Sequence, residues 1–500
     1  MKDNRSLSEI IKHRLEKLEK INSSSIKSFK YSFKNTTNSA QIFNNKDSFS
    51  NVNLSISGRI VSLRKMGKAC FAHVQDNSAK IQVYIKTDHL PENVYDHIVR
   101  NLDIGDIVGV EGRIFYTKTN ELTIDACDLD LLAKNIRPLP NIKEKDGQTY
   151  FAFQNKELRY RNRHLDLITN PSVKNIFLQR AKIIKNVRNF LDDLNYIEVE
   201  TPALQPIYGG ANAKPFTTFH NTLSQKLYLR IASELYLKRL IVGGMNKVYE
   251  ISKNFRNEGM DKSHNPEFTM LEFYESYSDV NDMMKITEQL FNVIKSSMKK
   301  NIFKFNNHEI DFSKAFKVSS MKDLFIDKIG ENIIEVSDDR LDQISSRFDI
   351  DISNYKNRGK IIEKIFSQLI EPHLIQPTFV IDYPIEISPL ARKNRKYNNG
   401  KYVERFELFI GGIEIANAFS ELNDPFEQRK RLSEQQNLVK KGDDEAQVMD
   451  EDFIKVLETG MPPTGGVGIG VDRLVMIFTE QDSIKDVILF PSMRPEQDID

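Results

Sequence analysis

The sequence predicts an α+β chain in which a small N-terminal β-barrel precedes a larger domain of mixed strands and helices. Three observations lead there. Five short runs of alternating apolar and polar residues crowd into positions 52–132, separated by turn residues. Beyond residue 166, strands and helices follow one another without the regular alternation of a doubly wound sheet. At 500 residues the chain is also too long for one ordinary domain.

Residues 1–50 read as a helical, basic extension. Leu7, Ile10, Ile11, Leu15, Leu18 and Ile21 recur at helical spacing, and the Ser- and Asn-rich INSSSIKSFKYSFKNTTNSA that follows reads as irregular. Ten basic groups stand against five acidic ones in this stretch, an excess that suits a phosphate backbone and equally a solvated helix face. Residues 51–136 supply the barrel through VNLSISGRIVSLR, KACFAHVQD, AKIQVYIK, DIVGVEGRIFYT and ELTIDACDLDLL. An OB-fold matches that strand number. Such barrels stack single-stranded bases on aromatic side chains; Phe71 and Gln82 stand on strands where this can happen, although a strand Phe serves a core as readily.

Residues 137–165 are rich in proline and charge and read as a linker. The domain of residues 166–500 opens with PSVKNIFLQRAKIIKNVRNFLDDL, a long amphipathic helix starting at a proline. The short strand YIEVE follows and stops at Thr201-Pro202. Apolar content of 40% and charged content of 28% fit a sizeable core, and a net charge of +1 leaves nucleic acids and small molecules both open as partners. Two cysteines without CxxC spacing argue against a zinc site or a disulfide framework. The start of the chain has no apolar leader segment, and no apolar run approaches the ~20 residues of a membrane span. A reducing cytoplasm is the expected location.

Three stretches carry chemistry. In FRNEGMDKSHNPEFTMLEFY, alternation puts Phe268, Met270, Glu272 and Tyr274 on one strand face, so a carboxylate sits in an apolar row. Such a group is costly without a positive partner. Arg256 and Glu258, two apart on an expected strand, share a face; Arg256 and the loop's His264 suit phosphates, and Phe268 offers a surface for a purine. In GGVGIGVDRLVMIFT, the glycines allow close approach of backbone to a ligand, and Arg473 lies near a helix start, which favours anions. In FELFIGGIEIANAFSELNDP, Glu407 and Glu414 flank a Gly-Gly break and are suited to Mg²⁺, a hard cation that takes oxygen ligands. Glu234, Glu272 and Glu421, each in apolar surroundings, can line one pocket for a cation. Ion pairs within the protein explain each acid, taken singly, equally well.

With these stretches in view, the chain resembles the bacterial-type class II lysyl-tRNA synthetases over nearly its whole length. NFLDDLNYIEVETPAL looks like their motif 1, VYEISKNFRNEGMDKSHNPEFTMLEFY like motif 2, and GGVGIGVDRLVMIFT like motif 3. GGANAKPFTTFHN, SELYLKRLIVGG, GGIEIANAFSELNDP and DVILFPSMRP resemble lysine-specific blocks. No HIGH or KMSKS motif of the class I enzymes is present.

The resemblance implies an OB-fold anticodon-binding domain and a catalytic domain built on an antiparallel sheet flanked by helices. It implies a homodimer with motif 1 at the interface, and L-lysine, ATP and tRNA(Lys) as partners. Carried onto this sequence, it gives Arg256 and Arg473 as catalytic residues. Arg256, Glu258, His264, Asn265, Phe268 and Arg473 would bind ATP, with Glu407 and Glu414 holding Mg²⁺ beside it. Gly210, Glu234, Arg256, Glu272, Tyr274, Asn417 and Glu421 would bind lysine. Arg64, Phe71, Gln82 and Glu121 would read the anticodon. Ala418, next to Asn417, is expected to narrow the lysine pocket slightly. A protein-lysine ligase is a weaker match because its relatives lack the barrel, and an aspartate-specific enzyme would need a cationic pocket. A non-catalytic RNA-binding relative would be expected to have lost Arg256, Glu414 or Arg473.

Overall fold

Alternating apolar residues close the N-terminal strands around one interior. In the computed structural model, which describes residues 6–495 except 25, 141, 146, 147, 152, 154, 354, 356 and 444, these strands are β1 (Leu54–Met66), β2 (Ala69–Gln75), β3 (Lys80–Lys86), β4 (Ile107–Tyr116) and β5 (Leu122–Ala133). They form a closed barrel in the order β1-β2-β3-β5-β4. β1 pairs with β4 through its first half and with β2 through its second, with a register shift between Ile60 and Ser62. That irregularity bends the strand so that it can serve two neighbours. Ile56, Ile60, Val74, Ile81, Val83 and Ile124 fill the interior.

The N-terminal helix α1 (Leu7–Ser23) forms where the apolar spacing predicts it, started by a Ser6–Glu9 capping box. Its apolar stripe is only partly used: Ile21 is buried, whereas Leu7 and Leu15 are exposed. Polar anchors take the place of those leucines. Arg14 donates to the carbonyls of Asn135 and Ile104 at 3.0 and 3.1 Å, and Lys17 pairs with Asp103 at 2.5 Å. Of the basic groups counted in the N-terminal stretch, Lys2 and Arg5 lie outside the described residues.

The chain divides into two compact units, Met1–Gln154 and Asn155–Asp500. Part of the stretch read as a linker belongs to the second unit: Lys156–Arg161 and Arg163–Thr169 are helical. The fully buried Arg163 pairs with Asp166 and donates to the carbonyls of Lys485 and Leu489. Charge signalled a linker there because a buried ion pair and a solvated one look alike in sequence.

The second unit is organised by an eight-stranded sheet. Its spatial order is Lys317–Ser320, Thr378–Pro384, Tyr402–Ile410, Ile413–Ser420, Thr464–Gly470, Glu267–Ser276, Lys247–Phe255 and Ile197–Glu198. The interior pairs are antiparallel and the two outermost pairs are parallel, so the sheet is mixed at its edges. Helices Pro171–Asp193, Val280–Met298 and Val471–Phe478 bury one face over Leu271, Phe273, Phe291, Phe478 and their neighbours. The side chains that alternate with Leu271 and Phe273 emerge on the opposite face, where they line a cavity.

Candidate active site

The cavity, of about 320 Å³, is lined from the Lys247–Phe255/Glu267–Ser276 hairpin loop, the Tyr402–Ile410/Ile413–Ser420 hairpin and the glycine-rich strand. Arg256, Glu258, His264, Asn265, Phe268, Glu272 and Tyr274 all border it. So do Gly210, Glu234, Glu407, Glu414, Asn417, Glu421 and Arg473. One cavity therefore collects residues spread over more than half of the chain.

Its acidic end is built from three elements. Glu272 projects from strand Glu267–Ser276, is 3% exposed, and accepts from the Ser233 backbone N–H at 3.1 Å and from Asn254 Nδ2 at 3.2 Å. Burial pushes this carboxyl up to about 7, and Glu234 adds to the rise. Glu234 opens helix Glu234–Val242, and Glu421 follows strand Ile413–Ser420. Burial drives Glu421 up to about 8. Lys238 Nζ lies 2.5 Å from Glu234 Oε1 and 2.5 Å from Glu421 Oε2. The contact with Glu421 has ion-pair distance but not hydrogen-bond direction, so among the described residues both Glu421 oxygens lack a hydrogen-bond donor. Burial and the three nearby acids also raise the Tyr274 phenol, so it stays protonated.

Glycine shapes the floor. Gly466 faces Tyr274 across the sheet, and Gly468 faces Glu272 on one side and Asn417 on the other. A Cβ at Gly466 would collide with Glu421 Oε1 and with the Tyr274 ring. At Gly210 the backbone has φ +85°, and a Cβ would lie 3.0 Å from that of Glu234.

The opposite end is cationic. Arg256 makes the last rung of its hairpin, N–H to the Pro266 carbonyl at 2.9 Å; the next amide, Asn257, donates instead to Lys214 at 2.8 Å. The chain turns there, so Glu258 does not continue a strand face with Arg256, and the expected pairing of the two on one strand is corrected. Among the described residues the Arg256 guanidinium has no ion-pair partner, its Nε is buried without an acceptor, and it lies 5.1 Å from the centre of the Phe268 ring. Burial, joined by Arg473, lowers its pKa from the usual arginine value. Arg473 donates to the Glu414 carbonyl at 2.6 Å and lies 3.0 Å from His264 Nε2. With Nε2 accepting from Arg473, the His264 proton sits on Nδ1, 2.8 Å from Asp261 Oδ2. Both ends of the Asn265 amide are engaged by backbone, at Glu267 and Ser492, so it fixes the loop.

Glu407 stands opposite Asn417 and Glu414 opposite Phe409 in the hairpin that turns at Gly411–Gly412, and both border the cavity. Glu407 accepts from Tyr383 Oη at 2.7 Å and pairs with Arg405 at 2.5 Å. Burial, with Glu414 adding to it, nevertheless pushes its carboxyl up to about 7. Ala418 points away from all this, into the core beneath the sheet, because it alternates with Asn417; it does not narrow the cavity.

On the barrel, Arg64 of β1 stands opposite Phe71 of β2, and Phe71 opposite Tyr84 of β3. The Phe71 and Tyr84 ring centres are 4.9 Å apart. Gln82 Nε2 donates to Glu121 at 2.8 Å, and His73 Nε2 lies 3.1 Å from the same carboxylate. All four barrel positions therefore share one outer face.

Sequence reasoning missed Lys238, Arg405, Gln447, Tyr84 and His73. Lys238 stands four residues after Glu234 and Arg405 two before Glu407, spacings that place each pair on one helix or strand face. Gln447, 3% exposed and lining the cavity with its Oε1 unpartnered, lies in a segment without periodicity and gives no such signal.

Comparison with known proteins places these features. Residues 155–494 match the family model of the class II tRNA synthetases (D, K and N), and residues 54–132 match that of the OB-fold nucleic acid binding domain. The lysine–tRNA ligase of Thermoanaerobacter pseudethanolicus is 48% identical over 98% of this chain and 97% of its own length. That of Azobacteroides pseudotrichonymphae is 49% identical over 89% of this chain and 90% of its own length.

Proposed function

The chain belongs to the class II tRNA synthetases of the D, K and N group, and from that premise we infer that it is a lysine–tRNA ligase. It activates L-lysine with ATP to give lysyl-adenylate and pyrophosphate, then passes the lysyl group to the 3′-terminal adenosine of tRNA(Lys). The observation that carries the lysine assignment is the acidic end of the cavity. Three buried carboxylates with one internal lysine leave an excess of negative charge for a long aliphatic cation to meet.

In the first step a lysine carboxylate oxygen attacks the α-phosphorus of ATP, and the bond to the bridging oxygen of pyrophosphate breaks. Arg256, whose guanidinium has no ion-pair partner among the described residues, is suited to hold the α-phosphate and the lysine carboxylate together. Phe268 supports the adenine, with Arg473 on its other side near the terminal phosphate. Glu258 and His264 complete the nucleotide site, and Asn265 acts on it by fixing the loop. Gly210 receives the α-amino end of lysine. Glu234, Glu272, Tyr274, Asn417 and Glu421 enclose its side chain. In the second step a ribose hydroxyl of the terminal adenosine attacks the carbonyl carbon, and AMP leaves.

Glu407 and Glu414 fit Mg²⁺ as hard oxygen donors whose mutual repulsion a cation relieves. Among the described residues no three His, Cys, Asp or Glu side chains are grouped to hold a metal. The remaining ligands would be nucleotide oxygens and water, and the ion would shield the nucleotide's charge. Arg64, Phe71, Gln82 and Glu121 form the anticodon surface, with Phe71 stacking a base. The active form is a cytoplasmic homodimer joined at the segment resembling motif 1. Among the described residues no helix is long and apolar enough to cross a membrane.

ATP–pyrophosphate exchange measured across the twenty amino acids is the test. Exchange with lysine is expected; exchange with a different amino acid in its place would sink the assignment.

A further inference from the structure

Lys238 is fully buried, and unlike Glu234 and Glu421 it does not border the cavity. It reaches both carboxylates from behind, one helical turn after Glu234, at 2.5 Å from each. We propose that Lys238 is a positioning residue that sets substrate specificity: a permanent internal cation that draws Glu234 and Glu421 together and favours their charged forms against the effect of burial. The pocket then prefers a side chain ending in a positive charge over a neutral one of equal length. This rests on reading Glu234, Glu272 and Glu421 as the walls of the lysine side-chain pocket.

The groups that face this cluster define its charge. Glu234 and Lys238 come from helix Glu234–Val242, Glu421 from the end of strand Ile413–Ser420, and Glu272 and Tyr274 from strand Glu267–Ser276. Glu250, tied to Arg230 at 2.7 Å, and Arg256 are the next charges whose fields reach Glu272. Glu272 has only neutral donors, whereas Glu234 and Glu421 share a cation. Burial works against the charge of Lys238, but Glu234 and Glu421 overcome it and raise its pKa.

Without Lys238, two buried carboxylates would face each other unpaired, and such a pair holds its proton to a higher pH than the wild-type pair does. A cationic substrate would then have to displace that proton. Its binding would weaken at neutral pH and recover as the pH rises. A lysine that only filled space would leave no such pH signature.

The test is Lys238→Met in the full chain, with lysine-dependent ATP–pyrophosphate exchange followed from about pH 6.5 to 9. The expected result is a lysine KM raised about tenfold or more at pH 7, with kcat little changed. Above about pH 8, where the wild-type Glu421 has lost its proton, the gap to wild type should close by up to about tenfold per pH unit, as loss of one proton requires. Preference for lysine over 2-aminoheptanoate, which ends in a methyl where lysine has its ammonium, should fall by about the same factor. Lys238→Arg, which keeps the charge, should retain the wild-type pH profile. A KM change constant across pH, or tighter lysine binding, would overturn the proposal. If Lys238→Met does not melt as a folded protein, Lys238→Gln carries the same measurement. Wild-type protein that fails to activate lysine would sink the reading of the pocket; a normal wild type beside a pH-independent variant sinks the role of Lys238 alone.

Discussion

The chain carries two polar surfaces of opposite design. On the outer face of the barrel, Gln82 and His73 are both linked to Glu121, while Arg64 is exposed and Phe71, packed on Tyr84, is half-buried. In the cavity, among the described residues, Glu421 has no donor directed at either oxygen and Arg256 has no acceptor at its buried Nε. Polar groups that satisfy one another at a surface are cheap to keep and lose little when a neighbour changes. Buried and incompletely satisfied ones raise the free energy of the empty protein, and only a ligand of matching charge relieves them. The first design suits a partner that is large and bound by many contacts; the second suits a small molecule that must be told from its neighbours by one charge.

Breaking the second design should hurt most. Arg256→Ala removes the cation assigned to the α-phosphate, and the exchange rate is expected to fall by about 10²–10³. Because that guanidinium has no ion-pair partner among the described residues, the melting temperature should stay near that of wild type; a large drop would mean that Arg256 is structural. Glu421→Gln comes next. Loss of one charged hydrogen bond to an ammonium is about 1.5–3 kcal/mol, so the lysine KM should rise about 10- to 100-fold with a smaller change in kcat. In the wild type the same KM should rise as pH falls below about 8, because the folded Glu421 and Glu272 carboxyls, lifted by burial to about 8 and about 7, take up protons there. These groups hold protons more tightly folded than unfolded, so their ionisation destabilises the empty protein as pH rises from the ordinary carboxyl range through 7 and 8. Smallest is Phe71→Ala on the barrel. One stacked base is about 1–3 kcal/mol, so the KM for tRNA should rise while tRNA-independent exchange keeps its rate. A loss of exchange would show that Phe71 supports more than RNA.

The same contrast explains what could be read in advance. The barrel strands and the Phe268–Tyr274 row were legible because a period of two fixes both burial and face. The identity of the three pocket acids followed from charge in apolar surroundings. Their internal partner did not: Glu234 and Lys238 look like an ordinary helix-surface pair, and the sequence does not reveal that Glu421 closes on the same nitrogen. Arg256 and Glu258 were placed on one face by the same two-residue rule, which fails once Asn257 turns to Lys214. The N-terminal helix was found, but its attachment through Arg14 rather than Leu15 depends on carbonyls that only the folded chain brings within reach.

Gly466 has a consequence for how this pocket can change. Its floor at that point is bare main chain, against which Glu421 and Tyr274 close directly. Rotamers cannot lengthen or shorten a floor made of backbone, and any side chain introduced there would collide with both. The pocket is thus a ruler with a fixed zero. Even one methyl group on that floor would meet Glu421 and the Tyr274 ring, so a descendant that accepts a longer or a shorter amino acid must move its acidic end wall.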